Sequence, residues 1–246
     1  MPKTIFLNTQ LALFFGRQID RPDILLTDFN KVMGDVFDQP PLTFPLPNSP
    51  ELANTPIVQY TSSNNLHLCS FARNRADYHH YSSDKIKHYT FEEIKGDFID
   101  NAQKFIDFFS KLAPVNRVGF VIQFFIEDND AHKTIAHLLK DDFRQIFGGD
   151  IREGKLEYIS RKKFVGDQFE INERIVMNKV ETIFYDNKKE EKKTGVLIMR
   201  DFNTIPEKKS EYQGKFNRDM VKQIIEETEG YFQLKEIANL LWPTKL

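Results

Sequence analysis

Two stretches of this sequence decide its fold: LALFFGRQIDRPD at residues 11–23 and VGFVIQFFIEDND at residues 118–130. Each is an apolar segment typical of a buried strand, and each ends in the acidic residues that often begin a helix. At an offset of 110 residues, the apolar positions of the helix pattern after the first stretch match those after the second. The matched pairs are Leu25 with Ile135, Phe29 with Leu139, Met33 with Phe143, Val36 with Ile146, and Phe37 with Phe147. This correspondence predicts that one structural unit occurs twice.

The segments that follow complete the predicted unit. In the first half, short strands are predicted over 57–62, 66–72 and 76–82, with a turn at Asn64-Asn65. In the second half, strands are predicted over 155–165, 169–185 and 195–202, with a polar turn at 187–193. Three- and four-residue spacing predicts an amphipathic helix from Thr90 to Leu112, and a less regular one from Met220 to Ile237. The sequence therefore predicts an α+β protein made by tandem duplication of a β-α-β-β-β-α unit. Its antiparallel sheets are expected to be covered by helices and related by a pseudo-two-fold axis.

The boundary between the two units is expected near Pro114, which gives units 1–114 and 115–246. Within the first unit, residues 38–56 contain six of the eleven prolines, a density that forbids a helix and allows at most an edge strand. Two interpretations of this segment stay open. It is a rigid surface connection, or it is an extended segment offered to a partner.

The composition is that of a globular chain with an excess of phenylalanine. The 246 residues are 40% hydrophobic and 28% charged, carry a formal net charge of −2, and include 23 Phe, a balance that excludes collagen-like, disulfide-rich and wholly disordered classes. The single cysteine, Cys69, cannot form an intramolecular disulfide, and the N-terminus lacks the pattern of a signal peptide. No apolar run approaches the roughly 18 residues that a spanning helix needs. A cytoplasmic protein that does not enter the membrane is therefore expected.

Motif searches predict neither a cofactor nor a metal centre. The glycines form neither a phosphate-binding loop nor a dinucleotide-binding turn, H-E-x-x-H is absent, and one cysteine cannot form a cysteine cluster. The best catalytic candidates lie in and just before the strand predicted over 76–82: Arg73, Arg75, Asp77 and His79. Alternation along a strand places Asp77 and His79 on one face and His80 on the other. These residues suggest a metal-dependent hydrolase or nuclease, and the competing interpretation is a solvated sheet face.

Basic residues in the second half suggest a nucleic-acid-binding surface, because Lys and Arg interleaved with aromatic residues suit phosphates and bases. The candidates are Arg161, Lys162, Lys163, Lys188, Lys189, Lys192 and Lys193. Glu190 and Glu191 interrupt the run, so a charged hairpin that keeps the sheet soluble is the simpler explanation.

Adjacent phenylalanines at 14–15 and 124–125 must face opposite sides of their strands, which predicts that both faces are covered or that one is an interface. Because no catalytic signature is present, the leading hypothesis is a non-catalytic protein-binding or regulatory protein. It would bind a protein partner, or a second copy of itself in a homo-oligomer, through sheet surface and Phe-rich faces, as a subunit of a larger complex.

The segment Asn116-Arg117-Val118-Gly119-Phe120-Val121-Ile122, after a long helix that begins at Tyr89-Thr90-Phe91, resembles a signature of a sporadically distributed family of uncharacterised prokaryotic proteins. The resemblance covers residues 56–126 and departs from the family pattern at Gln123-Phe124-Phe125. It implies an architecture and a prokaryotic source, and no catalytic residues. The duplicated unit also resembles the saddle of the TATA-binding protein in its topology alone, and fold does not determine function.

Overall fold

The computed structural model describes residues 4–83, 87–136, 155–164, 168–186 and 189–229. They form an α+β protein built on one nine-stranded antiparallel sheet, with the strand order β2-β3-β4-β5-β1-β6-β9-β8-β7. The strands are β1 (Thr4–Phe15), β2 (Leu42–Thr43), β3 (Val58–Thr61), β4 (His67–Phe71), β5 (Arg75–Tyr81), β6 (Val115–Glu127), β7 (Lys155–Phe164), β8 (Phe169–Asp186) and β9 (Lys189–Thr204). The helices are α1 (Leu26–Met33), α2 (Phe91–Leu112), α3 (Ala131–Ala136), α4 (Lys209–Tyr212) and α5 (Arg218–Glu229).

β1 and β6, which contain the apolar residues of the stretches at 11–23 and 118–130, form the centre of the sheet. β1 pairs with β6 along almost its whole length, with Leu11 opposite Phe120 and Leu13 opposite Val118. On either side of this pair lies one meander, β5-β4-β3 on the β1 side and β9-β8-β7 on the β6 side. The chain therefore forms one continuous sheet.

Local signals explain where the elements begin and end. Thr90 caps α2 in a capping box, since its hydroxyl accepts from the Glu93 backbone N–H while the Glu93 carboxylate accepts from the Thr90 N–H at 2.7 Å. Asn65 has a φ of +60°, the left-handed conformation that the predicted Asn-Asn turn favours. Asp20 does not cap the first helix: α1 begins later, after a 3-10 turn over Pro22–Leu25 that has no side-chain cap.

Two predicted boundaries change in the structure, and two others cannot be compared because they lie outside the described residues. The polar turn expected over 187–193 is shorter, because β9 already begins at Lys189 and pairs along its whole length with β8. The helix expected over 25–37 ends at Met33. Of the second-half helix, the structure describes Ala131–Ala136, and its predicted positions Leu139, Phe143, Ile146 and Phe147 lie outside the described residues, as do Tyr231, Leu234 and Ile237 of the last helix.

All helices of the described chain pack on one face of the sheet. Their buried side chains share two hydrophobic clusters with strand residues of one parity, such as Phe120 and Ile122 of β6. Phe105 and Phe109 of α2 pack against the α1 residue Phe29 at the centre of the larger cluster. We call this the covered face.

Strand residues of the other parity form what we call the open face. Its buried apolar residues, among them Ala12, Phe125 and Val176, belong to neither cluster. The Pro-rich segment contributes only the two-residue edge strand β2 and a 3-10 turn at Pro50–Leu52, as its proline content requires. No helix among the described residues is long and apolar enough to cross a membrane.

Candidate functional site

The catalytic candidates of β5 lie on the open face, where alternation places them. Arg75 donates to both carboxylate oxygens of Asp77, at 2.7 to 2.9 Å, and the Gln10 amide donates to the same carboxylate at 2.7 Å. His79 lies further along the strand and stacks on Tyr81 with ring centroids 5.9 Å apart. Burial lowers the pKa of His79. Asp77 is thus held as an acceptor between two donors.

Arg73 is separated from these residues. Its side chain is buried, and its guanidinium donates to the carbonyl oxygens of Leu46 and Pro47 at 3.3 and 3.2 Å. These contacts attach the Pro-rich segment to the end of β4. The structure therefore brings Arg75, Asp77 and His79 to one face and gives Arg73 a different environment.

An arginine–phenylalanine–arginine stack lies beside Asp77. Phe14 of β1 is flanked in register by Arg75 on β5 and Arg117 on β6, whose guanidinium carbons lie 4.9 and 4.5 Å from the ring centroid. Burial, and then the like charge of Arg75, lowers the pKa of Arg117. On β9, burial raises the pKa of Asp201 although Arg174 lies opposite it in the ladder. Arg117 and Asp201 are thus two charged groups of the open face that the chain itself stabilises poorly.

The basic residues of the second half are mostly neutralised by carboxylates. Lys192 pairs with Glu181 at 2.5 Å, and Lys193 pairs with Glu127 at 2.9 Å. Arg161 lies 3.6 Å from Glu207, and Lys162 pairs with Glu173. Lys163 is exposed on β7, Lys188 lies outside the described residues, and only the backbone of Lys189 is described. These ion pairs leave little of the excess charge that phosphate binding uses.

On the covered face, a cluster that the sequence analysis missed joins β4, β5 and α2. His67 and His80 are directly opposite each other in the β4–β5 ladder. The carboxylate of Asp97, on α2, lies next to both imidazole rings. The Asp97 Oδ2 atom lies 3.1 Å from His80 Nε2 and 3.6 Å from His67 Nε2. One ligand atom from each residue lies within 4.8 Å of the other two. Three donor atoms at these distances are able to bind one metal ion.

Each residue of this cluster is oriented by a further partner. The Nδ1 atom of His67 lies 3.0 Å from the Tyr78 hydroxyl, and the Nδ1 atom of His80 lies 2.9 Å from the Tyr81 carbonyl oxygen. The Asn101 amide donates to the second oxygen of Asp97 at 3.0 Å. Both Nε2 atoms are thereby turned toward one carboxylate.

The environment of His67 and Asp97 keeps these two side chains in the forms that bind metal. Burial, and then the neighbouring His80, lowers the pKa of His67 to about 4, so its imidazole is neutral at pH 7. The hydrogen bond with His80 lowers the pKa of Asp97, so its carboxylate is ionised. Both imidazoles are nearly buried while the Asp97 side chain is 55% exposed, so the cluster opens to solvent on the helix side.

A register argument on the sequence would have found two of the three residues of this cluster. The predicted strands 66–72 and 76–82 with a tight turn between them place His67 opposite His80, both on the face that Asp77 does not occupy. Asp97 could not be assigned in that way, because its position depends on how α2 crosses the sheet.

No family model matches this chain, and no curated protein matches it at a significant level. The geometry of the two faces of the sheet is therefore the basis for assigning a function.

Proposed function

We propose that this chain is a non-catalytic protein-binding or regulatory protein of the prokaryotic cytoplasm, which binds a partner protein with the open face of its sheet. The observation that carries the proposal is the one-sided packing of the described helices, which leave the open face outside both hydrophobic clusters. Antiparallel sheets often keep one face solvated. This face, however, carries arginine and aromatic side chains of the kind enriched in protein interfaces.

The chemistry of the face suggests a partner that presents a carboxylate. Arg117 is half-buried, and its pKa is lowered by burial and by Arg75, so a nearby anion would stabilise its charged form. Phe14 lies between the two guanidinium groups and offers an apolar contact at the same place. We therefore propose that an acidic side chain of the partner binds between Arg75 and Arg117.

The duplicated architecture is part of the same proposal. Apart from the edge strand β2, the strand order is symmetric about the β1–β6 pair, with β5, β4 and β3 matching β9, β8 and β7. This order supports two units, 1–114 and 115–246, related by a pseudo-two-fold axis. The partner would then contact both units at once, because Arg75 comes from the first and Arg117 from the second.

A charge-reversal experiment tests the partner proposal. Cross-linking of the tagged full chain in lysate of its source cell should capture a partner with wild type and with Lys104→Glu, a control on the exposed side of α2, but not with Arg117→Glu or Phe14→Ala. Replacing an interfacial carboxylate of that partner with Lys should restore its binding to Arg117→Glu. Equal capture by all variants, or a chain that stays monomeric and captures nothing, would contradict the proposal.

Nucleic-acid binding through β7 and the β8–β9 hairpin is the alternative function, and the ion pairs of Lys192 and Lys193 weigh against it. Retention on heparin and gel shifts at two salt concentrations separate the two functions, since phosphate binding weakens steeply with salt. We expect no salt-dependent retention.

A further inference from the structure

We propose that His67, His80 and Asp97 form a mononuclear site for a divalent transition metal, with Zn²⁺ as the fitting ion and one coordination position open to solvent. This site lies on the covered face and does not depend on the partner-binding function proposed for the open face. An experiment on one can therefore fail without affecting the other.

The spacing of the donor atoms fits a single ion. Zn–N and Zn–O bonds of about 2.0–2.1 Å in tetrahedral geometry place ligand atoms about 3.4 Å apart. The separations of 3.1 and 3.6 Å between Asp97 Oδ2 and the two Nε2 atoms lie on either side of that value. The three residues also lie on two paired strands and a 22-residue helix, so the donor set is held by rigid elements.

The hydrogen bonds of His80 call for a cation at this point. The Tyr81 carbonyl oxygen can only accept, so Nδ1 of His80, 2.9 Å away, donates to it. The ionised Asp97 carboxylate oxygen, 3.1 Å from Nε2 of His80, can also only accept. The cation that Nε2 and this oxygen share is therefore a proton or a metal ion, and with a metal ion both atoms are ligands. A metal-bound histidine commonly donates its other ring N–H to a backbone carbonyl in this way.

The remaining partners complete the pattern of a metal site. Tyr78 hydrogen-bonds to Nδ1 of His67 and leaves its Nε2 facing the site, and Asn101 holds the oxygen of Asp97 that the ion would not use. Two imidazoles and one carboxylate suit Zn²⁺ and related first-row ions better than Mg²⁺ or Ca²⁺, which prefer oxygen ligands. Three protein ligands leave a fourth position for water, and the exposed side of Asp97 gives that water access.

Metal binding to the full chain tests the proposal directly. Chelator-treated protein would be titrated with ZnCl₂ in competition with a chromophoric chelator. We expect one Zn²⁺ per chain for wild type and a loss of affinity of more than about 100-fold for Asp97→Asn, since losing even an outer hydrogen-bond partner costs 10- to 100-fold. Asp97 is half-exposed, so this variant should fold, which circular dichroism would verify.

Two matched controls test the specificity of the site. Asp100→Asn changes an exposed carboxylate on the same helix, and His79→Gln changes the adjacent histidine, which faces the other side of the sheet. Both should bind Zn²⁺ as wild type does. Tyr78→Phe should weaken binding about 10- to 100-fold if it orients His67.

Nitrogen-15 NMR of the histidine rings distinguishes a metal from a proton at the site. Zinc should shift the Nε2 resonances of His67 and His80 and leave His79 unchanged. The proposal is overturned if wild type binds no Zn²⁺, if Asp97→Asn binds it as tightly as Asp100→Asn, or if Nε2 of His80 stays protonated at saturating Zn²⁺.

Discussion

The same strands build both faces of the sheet, but the two faces differ in how completely their charged and polar side chains find partners within the chain. On β6, Phe120 and Ile122 are fully buried under helices, while Arg117 on the other side is half-buried against Phe14 and Arg75. The covered face is a packed core that also holds two polar clusters, one of His67, His80 and Asp97 and one of Glu173, Arg200 and Lys162. The open face keeps charges and aromatic rings in place without a core over them, and this contrast is the main functional signal in the molecule.

Two acidic residues show the contrast most clearly. Glu173 on the covered face is 3% exposed, and burial alone would raise its pKa, but hydrogen bonds from Arg200 and Lys162 outweigh burial and lower it. Asp201 on the open face is half-buried, and there burial outweighs Arg174 and Asn203, so the pKa is raised. Glu173 is therefore compensated by its ion pairs, whereas Asp201 is compensated less completely than either Glu173 or the Arg75-bound Asp77.

The largest expected difference between the two faces is in the free energy of unfolding that is lost when one phenylalanine on each face is truncated to alanine. Phe105→Ala removes a ring with no exposed surface, packed between Phe29, Tyr78 and Phe109, and should lower the free energy of unfolding by about 3–5 kcal/mol. Phe14→Ala removes two cation–π contacts at a half-buried position and should cost about 1–2 kcal/mol. Urea unfolding followed by circular dichroism gives both values. Equal costs would mean that the open face is a second core.

The second prediction concerns the buried ion pair of the covered face. Glu173→Gln removes the carboxylate that Arg200 and Lys162 share, and breaking a buried pair in this way should cost about 3 kcal/mol. Glu157→Gln, on the exposed edge strand β7, removes ion pairs with Arg174 and Lys155 and should leave stability almost unchanged. The same urea experiment compares them. If Glu173→Gln is no more costly than Glu157→Gln, Glu173 is not the compensated group described above.

The sequence predicted the strands well, because alternation and apolar runs are local signals. The apolar stretches at 11–23 and 118–130 correctly indicated parts of β1 and β6, which begin earlier, at Thr4 and Val115. The three- and four-residue spacing from Thr90 predicted the start of α2 to within one residue. The sequence did not predict that the β8–β9 hairpin continues through the charged residues 189–194, since cross-strand pairs such as Lys192 with Glu181 support a strand that looks like a loop.

The candidate sites were predicted less completely. Alternation correctly separated Asp77 and His79 from His80, but the attachment of Arg73 to Leu46 and Pro47 depends on a long-range contact with the Pro-rich segment. The proposed metal site also joins His67, His80 and Asp97, and no short sequence motif connects these three residues. Only the packing of a helix on the sheet brings them together.

Zinc should stabilise the protein through the covered face alone. With Zn²⁺ at a hundredfold excess over its dissociation constant, the free energy of unfolding should rise by about 2.7 kcal/mol, provided that the unfolded chain does not bind the ion. Thermal melts with Zn²⁺ and after its removal by chelator measure this gain. Phe14→Ala should retain the gain and Asp97→Asn should lose it. A gain that survives Asp97→Asn would assign the ion to another site.

The smallest predicted effect is on the stability of the folded chain and comes from Asp201 on the open face. Unlike the substitutions above, replacing this residue is expected to raise the free energy of unfolding. Because the pKa of Asp201 is raised above its usual 3.8 in the folded state, the folded chain binds more protons than the unfolded chain at pH values just above 3.8, and stability falls as the pH rises through that window. Asp201→Asn removes this slope and keeps an oxygen that accepts from Asn203. The variant should therefore be slightly more stable than wild type at pH 7, and the difference should close as the pH falls below 3.8.

Melting temperatures of wild type and Asp201→Asn from pH 7 to pH 3 check this prediction, with the exposed Asp100→Asn as a control that should show no such trend. If the open face binds a partner, the stabilised variant should also bind that partner more weakly, because a charge kept at a cost to stability is typical of a functional surface. A variant that is less stable than wild type at pH 7 would show that Asp201 is compensated within the chain, as Glu173 is. The contrast between the two faces would then rest on packing alone.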